Sequence, residues 1–364
     1  MSRSLRSILA LAAALFSLTA ALPAIAAPAA PSGGFTLTDA LGRKVVFKEA
    51  PKRIAVTSKA LFMIADAIYL FPEAGSRIVA IGNAAQGKLN FPKAIDPRFA
   101  DKLALDNQAG AEQIAVASPD AIVLKSSMAG SLGKSVEALG VPVVYVDFET
   151  PEQYERDLKT LGTLFQNEAR AKELVAAFKV RVDRVGKALA GIDEAKKPSV
   201  LVLYYSEQGG AVSFSVPPPG WMQTTQVRLA GGRPAWESAQ LGQGWTKVTI
   251  EQVAAWDPDQ IYVVAYISEA DKVVAKLEAD PQWAGLSAVK KSAIYGFAGD
   301  YYSWDQPDPR WVLGLDWLAA KIHPEKFPAF DMAADIRAFY RDFYGLEGAA
   351  YKSIVEPYIA GALR

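Results

Sequence analysis

The sequence contains no cysteine and only one histidine among its 364 residues. The absence of cysteine excludes disulfide bonds, thiolate catalysis, iron–sulfur clusters, cysteine-ligated zinc and lipid anchors attached through cysteine. A single histidine leaves almost no histidine-based metal chemistry. The G-x-S-x-G, P-loop, G-x-G-x-x-G and metalloprotease motifs are missing as well. We therefore expect no catalytic residue, no resident metal and no cofactor, and we do not expect an enzyme.

The sequence also lacks an excess of charge of either sign. Its 39 basic and 39 acidic residues give a formal net charge of zero, and the basic residues are scattered along the chain. This composition offers no electrostatic surface for nucleic acid or for an anionic membrane. At about 100 to 200 residues per domain, the length predicts two hydrophobic cores.

The N-terminus has the pattern of a secretory signal. Arg3 and Arg6 precede an apolar stretch at residues 8–22, and Ala24 and Ala26 form a small-x-small cleavage pattern. The apolar stretch is shorter than the ~20 residues that span a bilayer. We expect a signal peptide at residues 1–26 that is cleaved near Ala26, a disordered lead-in at residues 27–34, and a soluble mature protein in the bacterial periplasm.

Short apolar, β-branched runs recur along the mature chain and alternate with segments of helical spacing. They lie at residues 53–57, 77–81, 121–124, 141–146, 199–205, 260–264 and 293–297. Apolar strands joined by helices are typical of parallel sheets covered on both faces. We predict two similar α/β lobes, at residues 35–150 and 192–364, with a ligand cleft between them and residues 206–221 as a loop at its edge. A stiff helical connection at residues 151–191, formed by one or two helices, joins them and permits only small lobe rotations.

An internal repeat supports two related lobes. Residues 112–124 and residues 251–263 each read as a short helix that opens with Glu-Gln, a Pro-Asp turn and an apolar strand. The match includes polar positions that packing alone does not dictate. One copy would be unremarkable, but two matched copies predict one architecture in both lobes.

Several motifs together resemble the periplasmic substrate-binding proteins that serve ABC importers of iron complexes and cobalamin. The matching segments are residues 38–47, 50–56, 140–144 and 311–319, together with the repeat. The resemblance implies two α/β lobes joined by a long helix, with a small metal complex in the cleft. It also implies that Glu112 and Glu251 pair with arginines of a permease dimer in the inner membrane. We expect the protein itself to be a monomer.

Candidate ligand contacts lie on the loops that follow the predicted strands, because interdomain clefts are built from such loops. The aromatic candidates are Trp221, Trp245, Tyr266, Tyr301, Tyr302 and Trp304, and the polar candidates are Lys59, Asn83, Lys88, Ser126 and Ser127. The resemblance also points to Trp245 and to the segment before Pro307. In contrast, we expect Trp311 and Trp317 in the core and His323 near the surface at a helix end.

The aromatic candidates favour a broad, partly apolar ligand such as an iron–siderophore complex, haem or a corrinoid. A molybdate or tungstate oxyanion is the alternative, and Lys59, Ser126, Ser127 and backbone N–H groups would suit it better. A periplasmic enzyme that uses Asp300 and Asp305 is a further alternative, which the missing catalytic motifs disfavour.

Overall fold

The computed structural model describes residues 33–106, 109–239 and 242–361. The predicted signal peptide and residues 27–32 of the predicted lead-in lie outside these residues. None of the helices in the described part of the chain is long and apolar enough to cross a membrane.

The described chain starts with an antiparallel hairpin of β1 (Phe35–Thr38) and β2 (Lys44–Phe47). Asp39 closes its turn, since its carboxylate accepts hydrogen bonds from the backbone N–H groups of Leu41 and Arg43, both at 3.0 Å. The Arg43 side chain donates to the Val143 carbonyl at 2.8 Å. This bond fixes the hairpin to the first lobe.

The first lobe contains a five-stranded parallel sheet with the order β5-β4-β3-β6-β7. Its strands are β3 (Ile54–Val56), β4 (Ile78–Ile81), β5 (Leu103–Ala104), β6 (Ala121–Lys125) and β7 (Val143–Val146). Its helices are α1 (Phe62–Ile68), α2 (Ala74–Arg77), α3 (Phe91–Ile95), α4 (Ala111–Val116) and α5 (Lys134–Glu137). β6 and β7 are buried along their whole length, as expected for strands covered on both faces.

Two helices connect the lobes, α6 (Pro151–Phe165) and α7 (Glu168–Ala188). Thr150 caps α6 by accepting a hydrogen bond from the Gln153 N–H, as the sequence predicts. The chain turns at Gln166, whose φ of 54° ends α6, and Asn167 then caps α7. The connection is therefore helical as predicted and is divided at this turn.

The second lobe contains a six-stranded mixed sheet with the order β11-β9-β8-β12-β13, in which β10 also pairs with β8. Its strands are β8 (Ser199–Gln208), β9 (Ala211–Val216), β10 (Arg233–Pro234), β11 (Thr246–Val248), β12 (Gln260–Val264) and β13 (Ile294–Gly296). Its helices are α8 (Met222–Leu229), α9 (Ile250–Trp256), α10 (Ala270–Ala279), α11 (Ser287–Lys290) and α12 (Trp311–Ile322). The chain ends with α13 (Met332–Tyr344) and α14 (Gly348–Ile354).

Two expectations about the second lobe are wrong. Residues 206–216 are not a loop, because β8 and β9 form a hairpin whose turn is Gly209 and Gly210, both with positive φ. His323 does follow α12, but only 5% of it is exposed and its Nε2 lies 3.1 Å from the Gly231 carbonyl oxygen.

The repeat predicted from the sequence is present in both sheets. In the first lobe α4 leads into β6, which lies between β3 and β7, and in the second α9 leads into β12, between β8 and β13. The prediction of two similar α/β lobes is confirmed. The exact boundaries at residues 150 and 191 stay predictions.

A buried cluster of charges joins the lobes, and we call it the Arg310 hub. The Arg310 guanidinium is fully buried and lies 2.6 Å from the Asp66 carboxylate on α1 of the first lobe. It also lies 2.8 Å from Asp300 and 3.6 Å from Asp308, both in the second lobe, and it donates to the Tyr340 hydroxyl at 2.8 Å. One guanidinium therefore links the two lobes and helix α13.

Aromatic side chains surround the hub. The Arg310 guanidinium lies 4.3 Å from the centre of the Phe91 ring, within the range of a cation–π contact. Tyr302 packs against Phe62 with a ring-centre distance of 4.6 Å, and its hydroxyl donates to the Ala84 carbonyl at 2.8 Å. The interface between the lobes is thus a continuous core, which restricts their relative rotation.

The hub predicts an unusual pH dependence of stability. Burial raises the pKa of Asp66 and Asp308 above their ordinary value of 3.8. At intermediate pH these carboxyls are protonated in the folded protein but ionised in the unfolded chain. The stability that the bound protons contribute is therefore fully present below pH 3.8 and is lost as the pH rises through the raised pKa.

We expect Asp308→Asn to make stability less dependent on pH, because an amide does not titrate. The amide oxygen can still accept the hydrogen bond that the Arg310 backbone N–H donates to Asp308 at 2.7 Å. Urea unfolding between pH 5 and pH 8 should show the wild type losing more stability than the variant, by up to about 1.4 kcal/mol for each pH unit. Exposed Asp101→Asn is the control. Parallel wild-type and Asp308→Asn curves would contradict the assignment.

Candidate functional site

The carboxyl ends of the two sheets face each other across the lobe boundary. Gln86 follows β4 of the first lobe, and Gln306 lies in the segment after β13 of the second. Their side-chain amides form a reciprocal pair, with N···O distances of 2.8 and 3.1 Å. Loops at the carboxyl ends of parallel strands commonly bind ligands, so the region beside this amide pair is the candidate site.

Four aromatic side chains line the second-lobe side of this region, and we call them the aromatic wall: Tyr204, Trp221, Trp245 and Tyr266. Each is partly exposed. Trp245 lies at the centre, with ring-centre distances of 5.0 Å to Tyr204, 5.7 Å to Trp221 and 6.3 Å to Tyr266. The wall offers a large apolar surface for a ligand with flat or ring-shaped parts.

Secondary structure places the wall. Tyr204 lies in β8 opposite Val264 of β12, and Tyr266 follows β12 by two residues, so both emerge at one edge of the sheet. Trp221 immediately precedes α8, and Trp245 immediately precedes β11. The sequence singled out three of the four. Tyr204 was missed because it lies within an apolar strand, although its position at the end of that run was a usable signal.

A buried carboxylate supports the wall. Asp305 is fully buried, and its Oδ2 accepts hydrogen bonds from the Tyr266 hydroxyl at 2.8 Å and from the Gln223 amide at 3.0 Å. Burial raises the pKa of Asp305 to about 6. Burial and the neighbouring Asp305 raise the pKa of Tyr266 well above its ordinary value.

The other predicted aromatic residues lie elsewhere. Tyr301, Tyr302 and Trp304 are 6%, 2% and 0% exposed and pack in the core between the lobes. The Trp304 indole donates to Asp300 at 3.1 Å, and the Tyr301 hydroxyl donates to the Ile354 carbonyl at 2.8 Å. The structure does not bring them into the aromatic wall, because their polar atoms and ring faces are already occupied by protein.

The first-lobe side of the region is polar. Lys59, Asn83, Lys88 and Ser127 are exposed on loops after β3, β4 and β6. Neither lysine is in an ion pair among the described residues. Their ammonium groups are therefore available to an anionic part of a ligand.

Ser126 differs from the other polar candidates because it is already bonded. Its hydroxyl donates to Asp147, which in turn pairs with Arg156 at 2.6 Å. The adjacent Lys125 pairs with Glu149. Arg156 and the two acidic residues could not be predicted from the sequence, since no motif links them. This network adds acceptors to the first-lobe edge and ties up one of the three side chains expected to hold an oxyanion.

The two glutamates of the repeat occupy equivalent exposed positions. Glu112 lies in the first turn of α4 and Glu251 in the first turn of α9. A hydrogen bond with the Thr249 hydroxyl lowers the pKa of Glu251. A negative charge near the N-terminal end of a helix is stabilising, so each glutamate could serve its own helix, and its exposure also leaves it free to contact a partner.

The two carboxylates considered for catalysis are not exposed in the cleft. Asp300 and Asp305 are both buried, and each is bonded to protein groups. Within residues 33–106, 109–239 and 242–361, no group of three or more His, Asp or Glu side chains could hold a metal ion. The arrangement is suited to stacking and hydrogen bonding.

Known proteins share this architecture. The sequence model for the family described as "periplasmic binding protein" matches residues 54–301. Molybdate-binding protein MolA from Haemophilus influenzae is 22% identical over 263 residues, covering 65% of this chain and 70% of MolA. The molybdate-bound MolA structure has a TM-score of 0.70 at 19% identity and covers 86% of this chain and 99% of that one.

Two further solved structures show the same fold. A periplasmic solute-binding protein from Veillonella parvula has a TM-score of 0.70 at 22% identity, covering 89% of this chain and 97% of that one. A possible iron-binding periplasmic solute-binding protein from Staphylococcus epidermidis has a TM-score of 0.56 at 22% identity, covering 75% and 99%. These likenesses support the two-lobed architecture.

The different burial of the tryptophans predicts different effects on stability. Trp304→Ala removes a fully buried ring and should lower the free energy of unfolding by about 3 to 5 kcal/mol. Trp245→Ala removes a partly exposed ring and should cost clearly less. Equilibrium urea unfolding of both variants measures the difference, and equal losses would contradict the placement of Trp304 in the core.

Proposed function

The chain belongs to the periplasmic binding protein family, as its motifs predict, and from this premise we propose that it captures an iron complex of the siderophore or haem type. It then delivers this cargo to an ABC importer in the inner membrane. It acts as a binding protein without catalysis, as a monomer in the periplasm, after export by the signal peptide at residues 1–26.

The aromatic wall is the observation that carries the choice of cargo. Four partly exposed rings in tilted and edge-to-face contact give an extended apolar surface, which suits an organic chelator wrapped around a metal. A small oxyanion cannot use such a surface, because it needs several converging N–H or cationic donors. The support beneath the wall is instead a carboxylate, Asp305, which disfavours an anion close to it.

The first-lobe edge completes the site. Lys59 and Lys88 approach anionic oxygens of the cargo, while Asn83 and Ser127 donate hydrogen bonds. The Ser126 hydroxyl donates to Asp147, so its oxygen can only accept a hydrogen bond from the cargo. With Trp221, Trp245 and Tyr266 opposite them, the cargo lies between a polar and an aromatic surface. Tyr301, Tyr302 and Trp304 do not contact the cargo in this proposal. They pack in the core between the lobes and so help to hold the two sides of the site in place.

Molybdate or tungstate is the second candidate cargo, and the similarity to MolA favours it. Lys59 and Ser127 are exposed and could contact an oxyanion. The bond of Ser126 to Asp147 argues against this candidate, because an acidic side chain occupies the hydroxyl that would bind the anion. A corrinoid would use the aromatic wall in the same way as the iron complexes.

Binding assays with defined ligands test the choice. The absorption spectrum and mass of any co-purified molecule are recorded first, and a ferric trihydroxamate, haemin, cobalamin and sodium molybdate are then titrated by calorimetry. We expect an iron chelate to bind, and Trp245→Ala to weaken it by about 1 to 3 kcal/mol. Trp256→Phe, which alters a tryptophan outside the wall, is the control. Binding of molybdate alone would overturn the proposed cargo.

We further propose that Glu112 and Glu251 are the docking residues for the two permease subunits. One exposed carboxylate on each related lobe suits a two-fold symmetric partner, and arginine–carboxylate pairs fix orientation as well as attraction. The pairing would centre the cleft over the transport path.

Replacing both glutamates by alanine should abolish uptake into vesicles that contain the cognate permease, since the docking pairs are lost. Ligand affinity and melting temperature should hardly change, because both side chains are exposed. Glu152→Ala with Glu278→Ala is the matched control, as these glutamates are exposed on other helices. Normal uptake by the Glu112/Glu251 variant, or loss of ligand binding along with uptake, would refute the docking role.

A further inference from the structure

We propose that Asp305 is a positioning residue that holds the two ends of the aromatic wall in register for the cargo. The inference deepens the proposed function and rests on it for the role of the wall in binding. Asp305 itself is fully buried and acts through Tyr266 and Gln223.

A single carboxylate oxygen joins two separate elements. Asp305 Oδ2 accepts from the hydroxyl of Tyr266, which follows β12, and from the amide of Gln223, which lies in the first turn of α8. Gln223 is two residues from Trp221, at the other end of the wall. The two bonds, 2.8 and 3.0 Å long, therefore connect both ends to one fixed point.

The carboxylate is fixed in turn by its own segment. Asp305 follows Trp304, whose backbone N–H donates to the Ala298 carbonyl at 2.9 Å and whose carbonyl accepts from Gln226 of α8 at 2.8 Å. A Cβ on Gly314 of α12 would lie 2.3 Å from that carbonyl oxygen, so only glycine permits this approach. The segment is part of the lobe core and gives the wall a rigid base.

The charge of Asp305 distinguishes it from the other buried carboxylates of this segment. Asp300 and Asp308 face Arg310, whereas none of the ion pairs between described residues includes Asp305. The groups that face it are neutral: Tyr266, Gln223 and Ser303. A buried carboxylate without a cation is costly, and bonds to a charged acceptor are stronger than those between neutral groups. Both bonds of Asp305 end on Oδ2, and its buried Oδ1 has no hydrogen-bond partner among the described residues. We infer that the desolvation cost of Asp305 is retained because its hydrogen bonds hold the binding surface in place.

Trp245 transmits the support across the wall. It contacts Trp221, which adjoins the Gln223 end, and Tyr266, which is bonded to Asp305 directly. Tyr204 contacts Trp245 and Tyr266 at 5.0 and 4.9 Å. If the Asp305 bonds are lost, the Tyr266 hydroxyl and the Gln223 amide lose their shared acceptor, and the rings can separate, which exposes the tryptophans.

Acrylamide quenching of tryptophan fluorescence tests this without any cargo. In a Trp256→Phe background, Trp221 and Trp245 are the partly exposed tryptophans among the described residues. Asp305→Ala should raise the quenching constant about twofold, because local opening exposes the rings. Asp305→Asn should bring it most of the way back to the parent value, since the neutral amide oxygen can accept both bonds but accepts them more weakly than the carboxylate.

Two tyrosine variants provide a matched pair. Tyr266→Phe removes the hydroxyl bonded to Asp305 and should raise quenching, whereas Tyr204→Phe removes a hydroxyl that is not bonded to Asp305 and should not. A residue that only stabilises the fold would lower the melting temperature and leave native-state quenching unchanged. That result, or quenching in Asp305→Asn as high as in Asp305→Ala, would overturn the proposal.

The ferric trihydroxamate complex supplies a separate arm. If it binds, Asp305→Ala should weaken its affinity about tenfold, while Asp305→Asn stays close to the parent. Unchanged affinity in Asp305→Ala would also overturn the positioning role. Failure of the parent to bind any iron chelate would instead refute the proposed cargo, and the quenching experiment would still decide the role of Asp305.

Discussion

The fully buried guanidinium of Arg310 constrains the relative position of the two lobes. It pairs with Asp66 from one lobe and Asp300 from the other, and both are enclosed by aromatic side chains. Separating the lobes would break the pair between Arg310 and Asp66 and the aromatic packing around it, while Asp300 and Asp308 would stay with Arg310 in the second lobe. The same hub fixes the segment that carries Gln306 and Asp305. The position of the site therefore depends on the packing of the interface between the lobes.

This arrangement divides the aromatic residues between two tasks. Tyr301, Tyr302 and Trp304 pack inside the interface, while Tyr204, Trp221, Trp245 and Tyr266 remain partly open to the cleft. Both sets lie on or next to the loops that end the strands of the second sheet. Bulky rings in such loops therefore do not by themselves identify ligand contacts, and burial decides which task each ring has.

The sequence was informative where local chemistry determines structure. Apolar runs located the parallel strands, Thr150 and Gln153 marked the start of α6, and the repeat located α4 and α9. It was uninformative where contacts join distant residues. Asp66 and Arg310 are 244 positions apart, and nothing near either predicts a buried pair. The burial of His323 likewise depends on Gly231, a distant glycine whose missing side chain makes room for the imidazole.

The amide pair of Gln86 and Gln306 differs from the hub because it contains no charged group. Neither side chain carries a charge, so the strength of their two hydrogen bonds is insensitive to ionic strength. They also do not titrate at physiological pH. The contact between the loops beside the cleft can therefore keep one geometry while the salt content of the surrounding medium changes.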